Sequence, residues 1–390
     1  MDKVRIGLIG IGNIGTTHAN NLFGNRIPEG ELAAVCDINP DRLAFAKEKY
    51  GDKVALFSDY KEMLASGLID ACIVATPHYS HPIIGMDVLN AGIHLLSEKP
   101  IGVYTKKVRE LYEVAAKHPE LVFGIDYNQR TDSKYQKIRE MVKNGELGEI
   151  QRVIFIVTDW FRTQAYYNSG GWRATWAGEG GGVLVNQDPH QLDLWQWICG
   201  MPCRVQAFTH EGHHHDIEVE DDVTAYVEYP NGATGVFITT TGEFPGTNRL
   251  EIAGTKGQVV FSEYGEIQYT KVKCDTKEFI KTAQAGFGDP ESETVTLEVE
   301  QKGEQHVGIL KNFCSAVLHG TPLLAPGIEG INGLSISNAI MLSAWKHEMV
   351  ELPNDGSEFL SYLEEKIKHS KAKGDVKQVV FDTEGSYGTK

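Results

Sequence analysis

Three glycines near the start of the chain have the spacing of a phosphate-binding turn. They are Gly10, Gly12 and Gly15, and they follow the apolar stretch of residues 4–9 and precede a helix-like segment. The first allows a tight turn, the second lets the backbone approach a pyrophosphate, and the third lets the helix pack closely on the strand. Free N–H groups and the helix dipole at the helix N-terminus favour an anion. This pattern predicts a dinucleotide-binding βαβ unit.

An acidic residue follows at the distance that suits a ribose. A second apolar strand is predicted over residues 32–36, and it ends at Asp37, 22 positions after Gly15. The expected separation is about 20. A carboxylate here can accept hydrogen bonds from both ribose hydroxyls and would repel a 2′-phosphate, so the pattern favours NAD over NADP. The alternative is a glycine-rich loop on an unrelated α/β protein.

The composition narrows the class of protein. A chain of 390 residues is too long for one ordinary core, so two domains are expected. Its net charge of −16 disfavours nucleic acid or an anionic membrane as a partner. No apolar run approaches the length of about 18 residues that spans a bilayer, and the N-terminus shows no secretory signal pattern. Six scattered cysteines agree with a reducing cytoplasm, which is the expected location.

Strand and helix patterns alternate as far as residue 125. Helices are predicted over 40–50, from 59, over 81–91 and over 106–117, and strands over 69–75, 94–97 and 121–125. Nearly continuous apolar strands are typical of a parallel sheet that is covered by helices on both faces. Residues 1–125 are therefore expected to form an NAD-binding α/β domain with a doubly wound parallel sheet.

The remaining residues, 126–390, change to a period of two. Strands are predicted over 153–158, 205–209, 223–229, 234–240, 249–253 and 259–261, and helices over 134–143, 191–198, 307–318 and 330–345. Such strands are typical of an antiparallel sheet with one buried face. We expect an α+β domain with a large open, mostly antiparallel sheet and helices on one face. Because the other face needs a cover, we expect a homo-oligomer, either a dimer or a tetramer. Residues 384–390 are expected to fray.

Further motifs accompany the glycine turn. They are Val74-Ala75-Thr76-Pro77 with His81; Ala91-Gly92-Ile93-His94 before Glu98-Lys99-Pro100; Gly145-Glu146-Leu147-Gly148-Glu149-Ile150; Gly180-Gly181-Gly182; and His190-Gln191-Leu192-Asp193. In these motifs the chain resembles the glucose–fructose oxidoreductase / inositol dehydrogenase / MocA (Gfo/Idh/MocA) family over essentially its whole length. The resemblance implies an N-terminal Rossmann domain, a second domain with an open sheet, and a cleft that holds the nicotinamide ring against a sugar or polyol.

The resemblance also implies the reacting groups. Lys99 looks like the lysine of the family's Glu-Lys-Pro motif and would hydrogen-bond the substrate hydroxyl that loses hydride. Its place at the end of a predicted parallel strand suits this role, because doubly wound sheets bind ligands there. His190 looks like the family's general acid/base, and its ordinary pKa of about 6.5 suits proton transfer. The alternatives are a solvated loop lysine and a histidine that caps the helix beginning nearby.

The sequence departs from the commonest family pattern at one point. Many members have an aspartate four residues before the histidine, where this chain has Asn186. An asparagine can orient a hydroxyl but cannot ionise. Asp188 is a candidate for the missing charge, and it is equally a candidate for the N-cap of the next helix. Both residues are catalytic candidates, and the acid/base arrangement stays open.

Two further sets of residues are candidates for contact with the ligands. The cofactor set is Gly10, Gly12, Asn13, Ile14, Gly15, Asp37, Thr76, Pro77, His81, Glu98 and Lys99. The substrate set is Asn128, Arg162, Trp172, Arg173 and His190. Aromatic faces stack on pyranose rings, and the two arginines would suit a carboxylated or sulfonated sugar. Alternatively, the tryptophans belong to the core and the arginines pair with Asp159 or Glu179.

The run His213-His214-His215 is another group with ligand chemistry. His210, Asp216 and Glu218 lie close to it in sequence. On a strand, consecutive residues alternate between faces, and no spacing here matches a structural zinc site. We therefore expect a solvent-exposed turn and no metal.

Three functions fit these residues. The first is an NAD-dependent dehydrogenase that acts on a secondary hydroxyl of a small-molecule sugar, cyclitol or glycoside. The second is an NAD-dependent glycoside hydrolase that oxidises a hydroxyl transiently, eliminates the aglycone, adds water and reduces again, with no net redox change. The third is an NAD(H)-sensing binding protein, which Lys99 and His190 disfavour. We expect the first.

Overall fold

The first part of the chain forms a six-stranded sheet. The computed structural model describes residues 2–262, 265–299, 303–371 and 373, so the predicted frayed segment 384–390 lies outside the described residues. The strands are β1 (Val4–Ile9), β2 (Gly30–Cys36), β3 (Ala55–Phe57), β4 (Ala71–Val74), β5 (His94–Ser97) and β6 (Phe123–Ile125). Their order is β3-β2-β1-β4-β5-β6, and each adjacent pair is parallel. The intervening helices are α1 (Asn13–Phe23), α2 (Pro40–Tyr50), α3 (Tyr60–Ala65), α4 (Ser80–Asn90) and α5 (Thr105–Ala115).

Local sequence signals account for several of these boundaries. The side chains of Asn39 and Asp59 each accept a hydrogen bond from the first turn of the helix that follows, and so cap α2 and α3. Gly92, just after α4, has φ +74°, which lets the chain leave the helix. Strand β3 was not predicted from the sequence, because a strand of three residues is too short to show a period.

The second part of the chain is built on a nine-stranded sheet. Its strands are β7 (Ile150–Val157), β8 (Arg204–Glu211), β9 (Glu220–Glu228), β10 (Thr234–Thr240), β11 (Asn248–Gly254), β12 (Gly257–Ser262), β13 (Ile267–Val272), β14 (Ser292–Leu297) and β15 (Val350–Glu351). The helices are α6 (Ser133–Lys143), α7 (Gln164–Tyr167), α8 (Val183–Asn186), α9 (Pro189–Cys199), α10 (Thr276–Thr282), α11 (His306–His319), α12 (Gly330–Lys346) and α13 (Ser357–His369). Strands β13, β14 and β15 were not among the predicted elements.

The strand order of this sheet is β14-β13-β12-β11-β7-β10-β9-β8-β15. Among the described strands of this nine-stranded sheet, only the central pair β7 and β10 is parallel, and the other neighbours are antiparallel. The predicted fold class, a doubly wound parallel sheet followed by an α+β part with a mostly antiparallel sheet, is confirmed.

The two faces of the nine-stranded sheet differ. Phe155 and Phe237 are fully buried on one face, in the core that also contains residues of α6, α9 and α12. Their neighbours Ile154 and Val236 point to the other face and remain half-buried. A second copy of the chain covering this face stays a prediction.

A late helix returns to the first sheet. Although α11 follows the nine-stranded sheet in sequence, it contacts β1 and β2. Its Ile309, Leu310 and Phe313 belong to the core of the parallel sheet. This return brings His306, the first residue of α11, into the cleft beside the glycine turn.

Two expectations from composition concern the cysteine thiols and the presence of membrane-spanning segments. All six cysteines are free, and Cys36, Cys72 and Cys314 are buried. Within the described ranges, no helix is long and apolar enough to cross a bilayer.

Candidate active site

The glycine turn has the close approaches that its spacing requires. Gly10 has φ +89°, and a Cβ on it would lie 2.6 Å from the carbonyl oxygen of Ala75 in the segment after β4. A Cβ on Gly15 would lie 2.0 Å from the carbonyl oxygen of Gly10. A Cβ on Gly12 would meet nothing within 4 Å. Gly10 and Gly15 therefore serve packing, whereas Gly12 faces open space at the N-terminus of α1.

Asp37 is held rigidly at the end of β2. Its Oδ2 accepts a hydrogen bond from the backbone N–H of Ile11 at 2.9 Å, and its Oδ1 accepts one from Asn39 at 2.8 Å. Arg42 also fastens this region, because its Nε donates to the carbonyl of Ile11 at 2.8 Å. The carboxylate thus belongs to the wall of a cleft whose floor is the glycine turn.

This cleft has a volume of about 880 Å³ and runs between the two sheets. Ten of the eleven predicted cofactor residues line it: Gly10, Gly12, Asn13, Ile14, Asp37, Thr76, Pro77, His81, Glu98 and Lys99. The second part of the chain contributes Ser169, Trp172, Arg173, Asn186 and His306. Asn128, Arg162, Asp188 and His190 are not part of this wall.

Lys99 projects into the cleft from the end of β5. Its Nζ donates a hydrogen bond to the backbone carbonyl of Asn186 at 2.7 Å. Burial lowers the pKa of Lys99, with Glu98 opposing this change and Arg173 adding to it. The lysine therefore has a defined position against the second part of the chain, which the interpretation as a solvated loop lysine does not explain.

Glu98 and His81 brace the segment that carries this lysine. Glu98 Oε2 accepts from the backbone N–H of Lys99 at 3.0 Å, and its Oε1 lies 2.7 Å from His18 Nε2. Burial opposes ionisation of Glu98, but the hydrogen bond from His18 outweighs it and lowers the pKa of Glu98. The ring nitrogens of His81 lie 2.7 and 2.6 Å from the carbonyls of Pro100 and Thr76. His81 thus links the two segments that follow β4 and β5.

His306 is a cleft residue that the sequence analysis missed. Its Nδ1 lies 2.8 Å from Asp126 Oδ2, and its Nε2 lies 3.3 Å from Asn128 Nδ2. Burial lowers the pKa of His306, but the charge and hydrogen bond of Asp126 outweigh it, so the net direction is upward. Asn128, a predicted substrate contact, therefore lies behind His306. The sequence did not indicate a role for His306. It is the first residue of α11 and lies far in sequence from the other site residues.

His190, on the first turn of α9, is almost completely buried. Neither ring nitrogen has a hydrogen-bond partner among the described residues. Burial, followed by the charges of Lys99 and His306, holds the pKa of His190 well below its ordinary value. The imidazole is neutral at physiological pH and has an unused acceptor. Buried polar atoms of this kind call for a partner, such as a substrate hydroxyl.

Asn186 contacts a buried carboxylate that the sequence analysis named only as an arginine partner. The side-chain amide of Asn186 donates to Glu179 Oε1 and, at 3.3 Å, to the hydroxyl of Tyr166. Glu179 Oε2 accepts from the backbone N–H of Ala174 at 2.5 Å, and Oε1 lies 3.8 Å from Arg173 Nη1. Burial raises the pKa of Glu179, and Arg173 opposes this change. Glu179 is therefore the carboxylate next to Asn186.

Asp188 has a different environment. It occupies the N-cap position of α9, but its side chain makes no capping hydrogen bond, so of its two candidate roles the helix cap is not supported. The residue is completely buried, and this burial raises its pKa well above the ordinary value, while Thr239 and Trp160 lower it. Neither carboxylate oxygen has a hydrogen-bond partner among the described residues, and Asp188 is not part of the cleft wall.

The predicted substrate residues form a layer of aromatic rings and guanidinium groups. The guanidinium carbon of Arg173 lies 4.6 Å from the ring centres of both Trp172 and Tyr166. Arg162 lies 5.2 Å from the ring centre of Trp160 and 5.3 Å from that of Tyr166. Trp172 and Arg173 line the cleft, and the guanidinium of Arg162 stacks on the rings of Trp160 and Tyr166.

Comparison with known proteins agrees with this geometry. Residues 4–125 match an oxidoreductase family with an NAD-binding Rossmann fold, and residues 135–260 match the GFO/IDH/MocA C-terminal domain. The chain belongs to the Gfo/Idh/MocA family. The resemblance seen in its motifs is thereby confirmed, and this Gfo/Idh/MocA chain is an NAD-binding oxidoreductase.

Relatives of this Gfo/Idh/MocA chain cover nearly its full length. Myo-inositol 2-dehydrogenase of Thermotoga maritima is 26% identical over 363 residues, which is 90% of this chain and 98% of the relative. Levoglucosan dehydrogenase of Pseudarthrobacter phenanthrenivorans is 24% identical over 394 residues, again 90% of this chain and 99% of the relative. The crystal structure of the WlbA dehydrogenase from Bordetella pertussis in complex with NADH and UDP-GlcNAcA has a TM-score of 0.75 and 26% identity. It covers 90% of this chain and 99% of that chain.

The residues of this Gfo/Idh/MocA cleft fit NAD. Gly12 leaves space at the uncapped N-terminus of α1, where a pyrophosphate is favoured. Asp37 would present its fixed carboxylate to a ribose and would repel a 2′-phosphate. Lys99 and Asn186 line the same cleft, where Lys99 of the first part donates to the backbone carbonyl of Asn186 in the second part.

Proposed function

We propose that this protein is an NAD-dependent dehydrogenase that acts on a secondary hydroxyl of a sugar, cyclitol or glycoside. The observation that carries the proposal is the position of Lys99, which lies in the NAD cleft and donates to Asn186 of the second part. The named relatives act in the same chemical range, since two of them are dehydrogenases of an inositol and of levoglucosan.

The chemistry needs a group that polarises the oxygen and a group that takes the proton. NAD, when bound, supplies the hydride acceptor. Lys99 donates a hydrogen bond to the substrate oxygen and stabilises the negative charge that develops there. His190 is neutral and accepts the hydroxyl proton as the carbinol C–H bond breaks and the C=O bond forms. In the reverse direction the protonated imidazole returns this proton to the oxygen.

Glu179 positions these groups through Asn186. The carbonyl of Asn186 holds Lys99, and its amide is held by Glu179. Because α8 ends at Asn186, both contacts also fix the backbone that leads to His190. Glu179 is thus a positioning residue, and it is a better candidate than Asp188 for the charge that this arrangement needs.

Trp172 and Arg173 are the proposed contacts for the sugar ring. Both line the cleft beyond Asn186, and the Trp172 ring is half-buried. A flat aromatic face packs on the apolar side of a pyranose, while a guanidinium donates to ring hydroxyls or to a carboxylate. Arg162, which stacks behind Tyr166, supports this layer.

The redox-cycling glycosidase is not favoured. The relatives that span the chain are named as dehydrogenases.

The test is the Lys99→Met variant, with a panel of inositols, glycosides and sugar acids as substrates. We expect wild-type protein to form NADH steadily with at least one member, and the variant to bind NAD normally while kcat falls by far more than tenfold. Turnover of the variant within tenfold of wild type would disprove the role of Lys99. Release of an aglycone from a glycoside without accumulation of NADH would contradict the dehydrogenase proposal and would support the redox-cycling glycosidase.

A further inference from the structure

The three consecutive histidines lie in a turn, not on a strand. β8 ends at Glu211, Gly212 has φ +57°, and the chain reverses before β9 begins at Glu220. The expected exposed turn is therefore present. The objection that consecutive side chains point to opposite faces applies to strands and does not hold here.

A buried carboxylate fixes the backbone of this turn. Asp221 Oδ1 accepts from the N–H of His213 at 2.8 Å, and its Oδ2 accepts from those of His214 and His215 at 2.9 and 3.1 Å. The ring of His215 is also held, because Nδ1 lies 2.8 Å from Asp221 Oδ2 and Nε2 lies 2.9 Å from the carbonyl oxygen of Arg162. These hydrogen bonds hold the backbone of the turn and the ring of His215 in place.

The next residue along β9 points the other way. Asp222 is half-buried on the opposite face from Asp221 and pairs with His210 across the β8–β9 ladder. Asp222 Oδ2 lies 3.4 Å from His214 Nε2, and its Oδ1 lies 3.8 Å from His210 Nδ1. The ring centre of His213 lies 4.5 Å from that of His214 and 5.1 Å from that of His210.

These distances suit a small cation. His213, His214 and Asp222 each offer one ligand atom, and the three atoms lie within 4.8 Å of one another. In a tetrahedral site with ligands at 2.0–2.2 Å from the ion, ligand atoms are roughly 3.3–3.6 Å apart. The separation between His214 Nε2 and Asp222 Oδ2, 3.4 Å, already has this value, and His210 Nδ1 lies 3.8 Å from Asp222 Oδ1.

We propose that His213, His214 and Asp222, with His210 as the fourth ligand, bind a divalent transition-metal ion of the zinc class. Imidazole nitrogens and one carboxylate favour such an ion over calcium or magnesium, which prefer oxygen ligands. The net charge of −16 also attracts cations to the chain.

The role that follows is structural. None of the four ligands lines the NAD cleft. The same turn is fastened through His215 to the carbonyl of Arg162, and the His215 ring lies 4.8 Å from that of Tyr167. A bound ion would tie β8 to β9 at this end of the sheet and stiffen the support of the segment that carries Arg162 and Tyr166.

A second group with converging ligand atoms consists of His18, Glu98, Asp126 and His306. These side chains are buried and already paired, His18 Nε2 with Glu98 Oε1 at 2.7 Å and His306 Nδ1 with Asp126 Oδ2 at 2.8 Å, while His18 Nδ1 and Asp126 Oδ1 have no hydrogen-bond partner among the described residues. An ion there would displace both pairs, so the exposed turn is the better metal site.

The experiment uses full-length protein without a histidine tag, freed of metal by chelation. Zn²⁺ is titrated calorimetrically, and Co²⁺ is used as a spectroscopic probe of four-coordinate geometry. We expect one equivalent per chain, the intense visible absorption of tetrahedral Co²⁺, and a higher Tm with Zn²⁺. The variant His213→Ala/His214→Ala should weaken Zn²⁺ binding by about a hundredfold or more and lose the Co²⁺ spectrum.

The matched control is His319→Ala/His369→Ala, which removes two exposed histidines outside the turn and should bind like wild type. The proposal is overturned if the His213→Ala/His214→Ala variant binds Zn²⁺ as tightly as the control. It is also overturned if wild-type protein shows no Co²⁺ absorption of four-coordinate type. NAD binding, measured in parallel, is independent of this outcome and tests the proposed function separately.

Discussion

The ammonium group of Lys99 donates a hydrogen bond to the backbone carbonyl of Asn186 at 2.7 Å, across 87 positions of sequence. This contact connects the end of a strand in the parallel sheet to the end of α8 in the second part of the chain. The side chain of Asn186 is in turn held by Glu179. The geometry of the proposed reacting groups therefore depends on a carboxylate that does not itself line the cleft.

Replacing Glu179 by glutamine tests this dependence. The two carboxylate oxygens accept from Ala174 N–H and from the Asn186 amide, whereas a glutamine has only one oxygen, so one donor loses its acceptor. We expect kcat to fall about tenfold, the equivalent of one hydrogen bond, with little change in the NAD dissociation constant.

The same variant has a predicted effect on the pH profile. Glu179 raises the pKa of Lys99, so its neutralisation should lower that pKa and move the loss of activity at alkaline pH toward neutrality. A matched control is Glu243→Gln, which changes an exposed glutamate. A pH profile identical to that of wild type, whatever the value of kcat, would contradict the positioning role.

His190 gives a second prediction, on the acidic side. Its pKa is held well below the ordinary value, so the imidazole stays a proton acceptor down to low pH. We expect kcat/KM for alcohol oxidation to be flat from pH 7 to pH 6 and to decline only below that range. The His190→Asn variant should lose about 10²–10⁴-fold in kcat and should also lose this acidic limb. An acidic limb centred at the ordinary histidine pKa, or one that persists in the variant, would assign the proton transfer to another group.

Elements with a local signal were predictable from the sequence. The glycine turn, Asp37 and the capped starts of α2 and α3 follow from residues that are close together in the chain. Lys99 and His190 were found by their motifs. In each case the information lies within a few residues of the feature that it specifies.

Residues that act through tertiary contact were not predictable. His306 reaches Asp126 across 180 positions, and only the return of α11 to the first sheet brings them together. Glu179 precedes the run Gly180-Gly181-Gly182, where the sequence shows neither a helical nor a strand period. Nothing in the sequence therefore indicated that Glu179 would contact Asn186. For Asp188 the sequence left two roles open, and the buried side chain, which makes no capping hydrogen bond, does not support the helix cap.

The glycine turn offers a prediction that separates folding from binding. Gly15→Ala would place a Cβ 2.0 Å from the carbonyl oxygen of Gly10, which is backbone and cannot move aside. Gly12→Ala would meet nothing within 4 Å in the protein. We therefore expect Gly15→Ala to lower Tm strongly. Gly12→Ala should leave Tm unchanged but weaken NAD binding at least about tenfold, because the methyl group occupies the space of the pyrophosphate.

Thermal unfolding and a fluorescence titration with NADH measure these two properties. Gly67→Ala changes a glycine whose Cβ is likewise unobstructed but whose φ is +69°, so it reports the cost of backbone strain alone. Equal loss of Tm in Gly12→Ala and Gly15→Ala would show that Gly12 serves packing and not the pyrophosphate.

The final prediction concerns Glu220, which lies under the glycine run before α8. Its Oε1 accepts from the N–H groups of Gly182 and Leu184 at 2.8 and 3.2 Å, and its burial raises the pKa from 4.5 to about 8. The folded state therefore keeps a proton that the unfolded state releases between pH 4.5 and pH 8. By linkage, this contribution to stability is fully present below pH 4.5 and is lost as the pH rises through about 8.

Urea unfolding at several pH values tests this sign. Glu220→Gln mimics the protonated form and cannot lose the proton, so its free energy of unfolding should match that of wild type near pH 5 and exceed it increasingly toward pH 8. The upper limit of the slope is about 1.4 kcal/mol per pH unit for one group. For Glu293→Gln, on the exposed strand β14, the free energy of unfolding should have the same pH dependence as in wild type. If the free energy of unfolding of Glu220→Gln also had the pH dependence of wild type, Glu220 would be ionised in the folded protein. A buried negative charge would then support the backbone that leads to Asn186.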